Sequence, residues 1–333
     1  MGQTRDVWTK LPKRLAGVIA ALLVCLSAPP VDAQQSRRPF RIAVINAAYA
    51  ASHPTVEGLR AGLKELGIEE GRDLTFDVRF TEGKLDAMPA AAEALVKAGV
   101  DLIFTSQEAA TQAARGATTS VPIVFTLVGD PMGAGVVEKL TQPGGNVTGI
   151  SSLQTELVAK RLEVLKTLAP NVRRVWLVFS GVDLSTAPMI ARALDAAKRM
   201  GLDAVPKGVL NADELRRVLR EVRRDDAILV AEGSNPDLAI AVIEQARVSR
   251  VPALFGTALW VGYGGLASYG PDYYAQGVQA AGLVAKILRG TRPQDLPVEG
   301  AEKIDLAVNL KTAEQLGLTV PRKLLLRADA FRR

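Results

Sequence analysis

The sequence has very little of the chemistry on which most enzymes depend. Its 333 residues include one cysteine, Cys25, and one histidine, His53. Zinc sites are built largely from clusters of these two residue types, so no such cluster can form here. A serine hydrolase needs a histidine base, and no G-x-S-x-G elbow accompanies His53. We therefore expect a protein that is not an enzyme and that carries no cofactor and no metal.

Nucleotide-binding motifs are also absent. The sequence has no G-x-x-x-x-G-K-[ST], and no G-x-G-x-x-G follows the first predicted strand. The net charge of +6 falls to +4 without residues 1–33, which hold four basic and two acidic residues. No block of Lys and Arg alternates with aromatic residues, so we expect no nucleic-acid partner. Carboxylate pairs stay open, because 35 acidic residues allow two to meet in the fold.

The N-terminus has the three parts of a secretory signal peptide. Residues 1–14 are net positive, residues 15–26 form an uncharged apolar run, and residues 27–30 contain two prolines that break a helix. A run of 12 apolar residues is too short to cross about 30 Å of hydrocarbon comfortably. We expect cleavage after Ala33 and a periplasmic location, with a membrane anchor or lipid attachment at Cys25 as the alternatives.

The remaining chain alternates short apolar runs with amphipathic helices. Continuous apolar runs of this length are typical of strands buried on both faces of a parallel sheet. The runs occupy residues 42–45, 102–104, 123–125, 175–179, 228–230 and 253–255. The helical spacing is carried by Val56, Leu59, Leu63 and Leu66, and by Leu215, Val218, Leu219 and Val222. The alternation of strand and helix predicts βαβ units.

Two halves of the chain repeat one plan. Residues 101–104 correspond to 226–229, and residues 121–125 correspond to 251–255. The offsets of about 120 to 134 residues are too long and too variable for a solenoid. We predict an α/β fold with two similar doubly wound parallel-sheet lobes joined by a hinge, to which segments near 273–288 and 303–310 contribute. The predicted boundaries are 1–33 for the signal peptide, 38–151 plus 272–299 for the first lobe, and 152–271 plus 300–333 for the second.

The loops after the predicted strands form the candidate site, because ligands bind outside the carboxyl ends of parallel strands. Small polar groups dominate these loops, and few of their side chains are suited to catalysis. The candidate ligand-binding residues are Asn46, Tyr49, Ser106, Gln107, Gly129 and Asp130 in the first lobe, and Ser180, Asp183, Glu232, Ser234, Gly256 and Thr257 in the second.

Two chemical roles can be assigned within this set. Ser106 and Gln107 open a predicted helix whose N–H groups suit a carboxylate, although Ser106 also fits a simple helix cap. Asp130 suits a ligand ammonium, although Asp-Pro is also common in turns. Glu232 also carries a negative charge that suits a ligand ammonium, although it could equally lie in a solvent-exposed loop. We hypothesise that Ser106 and Asp130 hold opposite ends of the ligand.

Aromatic residues offer flat surfaces for a ligand. Tyr49, Trp260 and Tyr263 suit stacking on a ligand face, although a place in the core or at its rim is the commoner role. Trp176 lies within an apolar strand and is predicted to be part of the core.

Several segments together carry a resemblance to a known family. They read EGRDL at 70–74, GDP at 129–131, QPGGNVTG at 142–149, GGLASYGP at 264–271, DLPV at 295–298, NLKTA at 309–313 and LGLTVP at 316–321. In this order, across about residues 40–330, the chain resembles bacterial ABC-transporter substrate-binding proteins with the type I periplasmic-binding-protein fold. The group of this family that the chain resembles includes binders of tryptophan and other aromatic amino acids.

The resemblance implies capture of a small-molecule ligand and its delivery to an ABC permease in the membrane, without a cofactor. The positions that match the family's binding loops are Ser106, Gln107, Gly129, Asp130, Gly256, Thr257 and the loops after Phe179 and Val230. Two loops depart from the family pattern. Ser180-Gly181-Val182-Asp183 stands where members often have Asn-Pro-x-Asn, and residues 232–235 also differ.

Three other functions are compatible with parts of the sequence. A ligand-sensing module for a membrane receptor would use the same fold, since a fold does not fix function. An exported α/β enzyme would need a nucleophile and a base, which the motifs do not supply. A cytoplasmic repressor would need a DNA-binding headpiece and no export signal. We expect a monomer.

Overall fold

The apolar runs of the sequence form strands in the computed structural model. The structure describes residues 38–47, 53–181, 186–231 and 236–332, so the predicted signal peptide and Cys25 lie outside the described residues. The strands are β1 (Phe40–Asn46), β2 (Leu74–Phe80), β3 (Leu102–Ser106), β4 (Ile123–Val128), β5 (Val147–Ser151), β6 (Arg174–Ser180), β7 (Asp203–Val209), β8 (Asp226–Val230), β9 (Ala253–Phe255), β10 (Ala267–Pro271), β11 (Glu299–Gly300), β12 (Ile304–Asn309) and β13 (Ala330–Arg332).

Helices alternate with these strands along most of the chain. They are α1 (Pro54–Glu65), α2 (Met88–Lys97), α3 (Glu108–Ala117), α4 (Gln154–Leu168), α5 (Ala187–Arg199), α6 (Ala212–Leu219), α7 (Pro236–Ser249), α8 (Ala258–Gly262), α9 (Tyr273–Leu288), α10 (Leu310–Gln315) and α11 (Arg322–Leu325). No helix within the described ranges combines the length and the apolarity that a bilayer crossing requires.

Two sheets have the same strand order. The first sheet runs β11-β5-β4-β3-β1-β2, and the second runs β13-β12-β10-β9-β8-β6-β7. Strand pairs in the first sheet are parallel, and the antiparallel pair described in the second joins β10 to β12. The first five strands of each sheet thus follow the doubly wound order 2-1-3-4-5. This arrangement confirms the predicted fold of two similar lobes.

Each sheet is buried on both faces, as the continuous apolar runs predict. In β1, Ile42 and Val44 pack with α9, whereas Ala43 and Ile45 pack on the opposite face with α2 and α3. In the second sheet, Leu177 and its neighbours on one face pack with α4 and α5, and the other face packs with α6 and α7. The alternation follows from the two-residue period of a strand.

Three connections join the sheets, and all leave from one region. The chain passes from β5 to α4 at residues 151–154, from β10 to α9 at 271–273, and from β11 to β12 at 300–304. Gly300 pairs with Ser151 in the first sheet. Together these three connections form the hinge of the molecule.

Close packing of α1 on α9 fixes the first lobe beside the hinge. A Cβ atom at Gly58 would lie 2.0 Å from the carbonyl oxygen of Tyr274, and one at Gly277 would lie 2.0 Å from that of Thr55. Only glycine allows the two backbones to approach so closely. The contact holds the first turn of α9 at the hinge.

The end of α1 differs from the helical pattern of the sequence. Leu66 was expected on the buried face, yet it caps the helix and is 44% exposed. Gly67, with φ of +78°, ends the helix, and the amide of Ile68 donates to the carbonyl of Leu63. This glycine cap turns the chain before Leu66 can reach the core.

Candidate ligand-binding site

The carboxyl ends of the parallel strands in both sheets lie beside the hinge. β5, β10 and β11 each end where the chain leaves its sheet, and β12 starts at the same edge because it runs antiparallel to β10. The two carboxyl edges therefore border one space next to the three connections. We call this space the cleft. It is the position at which parallel α/β sheets bind ligands.

The described candidate residues lie at these two edges. Asn46, Ser106 and Ser180 are the last residues of β1, β3 and β6, and Gly129 and Gly256 directly follow β4 and β9. Gln107, Asp130 and Thr257 come one residue further along. Tyr49, Asp183, Glu232 and Ser234 lie outside the described residues.

Ser106 belongs to a buried chain of hydroxyl groups. Its side chain is fully buried, with its Oγ 3.0 Å from Thr55 Oγ1 and 3.4 Å from Thr126 Oγ1. The alternative role of Ser106 as a helix cap is wrong, because Gln107 occupies the N-cap position of α3. Ser106 instead ties the start of α1 to the edge of the first sheet.

His53 extends this chain toward the hinge. Its Nδ1 lies 2.7 Å from Thr55 Oγ1 and accepts the amide of Thr55, so His53 is the N-cap of α1. The ring stacks on Tyr273, with centroids 6.1 Å apart. Burial lowers the pKa of His53 to about 4, against an opposing effect of Glu57. His53 is thus neutral at physiological pH.

The depressed pKa of His53 predicts a loss of stability on mild acidification. Between the unfolded pKa of 6.5 and the folded value of about 4, the unfolded chain binds the extra proton. We expect the free energy of unfolding to fall by about 1 kcal/mol from pH 7 to pH 5, after allowance for partial exposure of the ring. Denaturant titrations across this range measure the loss.

The control for this prediction is His53→Asn, which can still cap α1 but does not titrate. Because the chain has a single histidine, the variant should lose most of the pH dependence between pH 7 and pH 5. An equal change of unfolding free energy with pH in the parent and in His53→Asn would rule out His53 as the source of the pH dependence.

Gln107 has a strained backbone at the edge of the first sheet. Its φ of +79° and ψ of 159° lie in a region that is normally open only to glycine. Its amide donates to the carbonyl of Thr126, 2.9 Å away, which holds the conformation in place. Its side chain caps no helix amide and makes no hydrogen bond within the described part of the chain. The strained backbone thus places an amide group with no partner among the described residues beside the first turn of α3.

Asp130 forms a tight turn after β4. Its Oδ1 accepts the amide of Gly133 at 2.9 Å, so the turn role considered for Asp-Pro is confirmed. A Cβ at the adjacent Gly129 would lie 2.5 Å from Gln154 Oε1, and the Gly129 carbonyl accepts the amide of Gln154 at 3.1 Å. The turn is thereby fixed against the first connection of the hinge, with the carboxylate only partly buried.

The edge of the second sheet is also tightly built. Thr257 caps α8 by accepting the amide of Leu259. A Cβ at Gly270 would lie 1.7 Å from the carbonyl oxygen of Gly256 and 3.0 Å from an Nη atom of Arg161. Arg161 is 1% exposed, and its Nε donates to the Tyr269 carbonyl at 2.8 Å. A buried cation therefore supports this edge.

Sequence reasoning missed Arg161 and Gln276. Both interrupt buried apolar stripes, Arg161 between Val158 and Leu162 of α4 and Gln276 next to Gly277 of α9. Gln276 Oε1 accepts the amide of Leu127 at 3.3 Å, and the side-chain amide bonds to Ser152. A polar residue within a buried stripe was the available signal, since such groups need partners.

Two hydroxyl groups near the cleft have no hydrogen-bond partner within the described part of the chain. They belong to Thr81, which follows β2 and is 8% exposed, and to Thr155 in the first turn of α4. Buried polar groups without partners are uncommon and call for an explanation such as water or ligand. Thr81 lies at the carboxyl edge of the first sheet, and Thr155 lies directly after the first connection of the hinge.

The aromatic candidates have different positions. Trp176 is buried, as predicted, and donates from Nε1 to Asp226. Trp260 packs partly into the core and contacts Tyr263, which is 66% exposed. Tyr263 precedes β10 and so lies at the amino edge of the second sheet, where it does not reach the cleft. Tyr49 lies outside the described residues.

Comparison with known proteins agrees with this geometry. The chain is 26% identical over 280 residues to the tyrosine-binding protein of Clostridioides difficile, with coverage of 82% of this chain and 81% of that protein. A conserved domain protein from Vibrio cholerae shares 32% identity with a TM-score of 0.82, over 89% of this chain and all of that chain.

A further solved structure is an ABC domain from Streptococcus pneumonia in complex with L-Trp. It is 26% identical with a TM-score of 0.78, over 88% of this chain and 99% of that chain. The model of the family described as ABC transporter substrate binding protein matches residues 42–332. This chain therefore belongs to the ABC transporter substrate-binding protein family.

Proposed function

We propose that the protein is the periplasmic receptor of an ABC importer and captures an aromatic amino acid in the cleft. The strained Gln107, whose side-chain amide has no partner among the described residues, carries this proposal. Such strain is retained mainly where a site needs it. The relatives with a bound L-Trp and with the name tyrosine-binding protein supply the class of ligand.

Each end of an amino acid has a suitable partner in the first lobe. The first turn of α3 supplies amide groups and the positive end of the helix dipole, which suit the ligand carboxylate. The side chain of Gln107 lies beside that turn and adds a further donor. The carboxylate of Asp130, held by its turn, suits the ligand ammonium. Ser106 lies beneath them and positions the edge through Thr55.

The second lobe completes the site when the hinge closes. Ser180, Gly256 and Thr257 lie at the carboxyl edge of its sheet and would meet the ligand from the other side. Domain closure around a ligand is a common use of such a hinge. The closed form would then be the one that an ABC permease recognises, after export of the chain and cleavage after Ala33.

A thermal-shift screen tests this function. Residues 34–333 would be heated with each of the natural amino acids and with small carboxylates that lack an ammonium group. A ligand at about 100 times its dissociation constant adds about 2.7 kcal/mol to the folded state. We expect L-tryptophan or L-tyrosine to raise the midpoint by a few degrees and to be recovered unchanged. A panel in which no aromatic amino acid shifts the midpoint would contradict the proposal.

Asp130→Asn separates the ammonium contact from the rest of the site. The amide oxygen can still accept the Gly133 amide, so the turn survives while the negative charge is lost. We expect affinity for L-tryptophan to fall at least about tenfold, as for a lost charged hydrogen bond. Indole-3-propionate, which has no ammonium group, should bind both proteins equally. An equal loss for both ligands would mean that Asp130 acts only through the turn.

A further inference from the structure

A second concave surface lies at the opposite edge of the second sheet. It has a volume of about 820 Å³ and is bordered by the residues before β9 and β10 and by the start of α10. These segments mark the amino ends of the parallel strands, whereas the cleft lies at their carboxyl ends. We call this surface the distal pocket. Its volume is within the range of small-molecule sites, about 300–1,000 Å³.

Three cations that line the distal pocket have no partner among the described residues. Arg247 lies in the last turn of α7, Arg250 directly follows that helix, and Lys311 lies in the first turn of α10. Within the described part of the chain, none of their side chains makes a hydrogen bond or an ion pair. The acidic residue in the lining, Glu244, pairs with Arg216 at 3.7 Å. With three cations and one carboxylate in its lining, the pocket has a net positive rim.

Arg250 occupies a backbone position that this chain otherwise gives to glycine. α7 ends with the amide of Val251 donating to the carbonyl of Ala246, and Arg250 between them has φ of +54°. Within the described part of the chain, the same bond pattern ends five other helices, each time around a glycine with positive φ: Gly67, Gly201, Gly264, Gly290 and Gly317.

A left-handed conformation is unfavourable for arginine and costs little for glycine. The side chain of Arg250 is thus kept at a cost in stability. Arg250 lines the distal pocket and adds charge to it, but its side chain gains no partner among the described residues. Strain of this kind points to a function outside the folding of the chain itself.

Part of the pocket lining is held in place by hydrogen bonds. Thr312 Oγ1 donates to the Gly264 carbonyl at 3.0 Å, and Asn309 Nδ2 donates to the Val261 carbonyl at 3.3 Å. These bonds join the end of α8 and the glycine loop before β10 to the end of β12 and the start of α10. Ile243 and Leu266 contribute apolar surface to the lining.

We propose that the distal pocket binds an organic anion, with its charged head on Arg247, Arg250 and Lys311 and its apolar body against the pocket floor. The head group is a phosphate, sulfonate or carboxylate, all of which suit arginine. A free metabolite and the head group of an anionic lipid share this chemistry. The site is independent of ligand capture in the cleft.

The first test uses 8-anilinonaphthalene-1-sulfonate, which has a sulfonate head and an aromatic body. Fluorescence titration of residues 34–333 should show binding that weakens at least about tenfold in the triple variant Arg247→Gln, Arg250→Gln, Lys311→Gln. Binding should also weaken with salt, because exposed charges are screened. The matched control removes three exposed cations elsewhere on the same lobe and should bind as the parent does: Arg192→Gln, Lys198→Gln and Arg217→Gln.

The single variant Arg250→Gly tests the role of the strain. Arg250→Gly should raise the unfolding midpoint by about 1–3 °C and lower the affinity for the probe several-fold. Arg250→Lys should retain most of the probe binding. A triple variant that binds the probe as tightly as the parent would overturn the proposal. So would a lower midpoint for Arg250→Gly, because the arginine would then serve the fold.

Vesicles distinguish the two sources of the anion. Co-sedimentation with phosphatidylglycerol vesicles, but not with phosphatidylcholine vesicles, and its loss in the triple variant would assign the pocket to a lipid head group. Probe binding without vesicle binding would assign it to a soluble anion. Absence of both probe binding and vesicle binding would overturn the proposed anion site.

Discussion

Gly277→Ala is expected to lower the free energy of unfolding by about 3 kcal/mol. The added Cβ would lie 2.0 Å from the carbonyl oxygen of Thr55 and 2.8 Å from the amide nitrogen of Leu59. Both contacts are with the backbone of α1, so no side chain can rotate away. Relief requires α1 and α9 to separate, which disturbs the buried core that they share.

A matched control lies on the same helix. Gly282 belongs to α9, and a Cβ at that position would have no atom within 4 Å. Gly282→Ala should therefore stabilise the protein by about 0.5–1 kcal/mol through helix propensity alone. Urea unfolding of the three proteins measures both effects. Similar stabilities for the two variants would show that the close approach of α1 and α9 is not required.

Gln107→Gly should stabilise the fold and weaken ligand binding at the same time. Glycine accepts φ of +79° and ψ of 159° without strain, so we expect a gain of about 1 kcal/mol in unfolding free energy. Loss of the side-chain amide should reduce affinity for the aromatic amino acid about tenfold. Calorimetric titration and urea unfolding of the same variant give the two values.

Two controls separate the backbone effect from the side-chain effect. Gln107→Ala removes the amide but keeps the strain, so it should bind weakly without gaining stability. Glu82→Gly relieves φ of +50° at an exposed position after β2 and should gain stability without losing affinity. Full affinity in Gln107→Ala would remove Gln107 from the ligand site.

The fold followed from the sequence because its signals are local and repeated. Continuous apolar runs such as residues 123–125 mark strands buried on both faces, and their recurrence in a second half predicts a second sheet. Leu66 departed from its predicted place because a glycine cap, which overrides hydrophobic spacing, ends the helix one residue earlier. The lobe boundaries from the sequence stay predictions.

The positions of the candidate residues at the sheet edges were predictable, but their contacts were not. The rule that ligands bind at carboxyl ends of strands placed Asn46, Ser106 and Gly256 at the cleft edges. It could not show that Ser106 is buried against Thr55 or that Gln107 is strained, because both depend on contacts between segments distant in sequence. Tyr49, Asp183, Glu232 and Ser234 remain sequence predictions.

The most direct test of ligand capture is calorimetric titration of residues 34–333 with L-tryptophan and with L-tyrosine. We predict that at least one binds with one-to-one stoichiometry and a negative heat-capacity change, as expected when an aromatic ring is buried. Binding should be abolished or strongly weakened in the double variant Asp130→Asn, Gln107→Ala. Absence of binding by both amino acids, or affinity that the double variant leaves unchanged, would contradict an aromatic amino-acid site in the cleft.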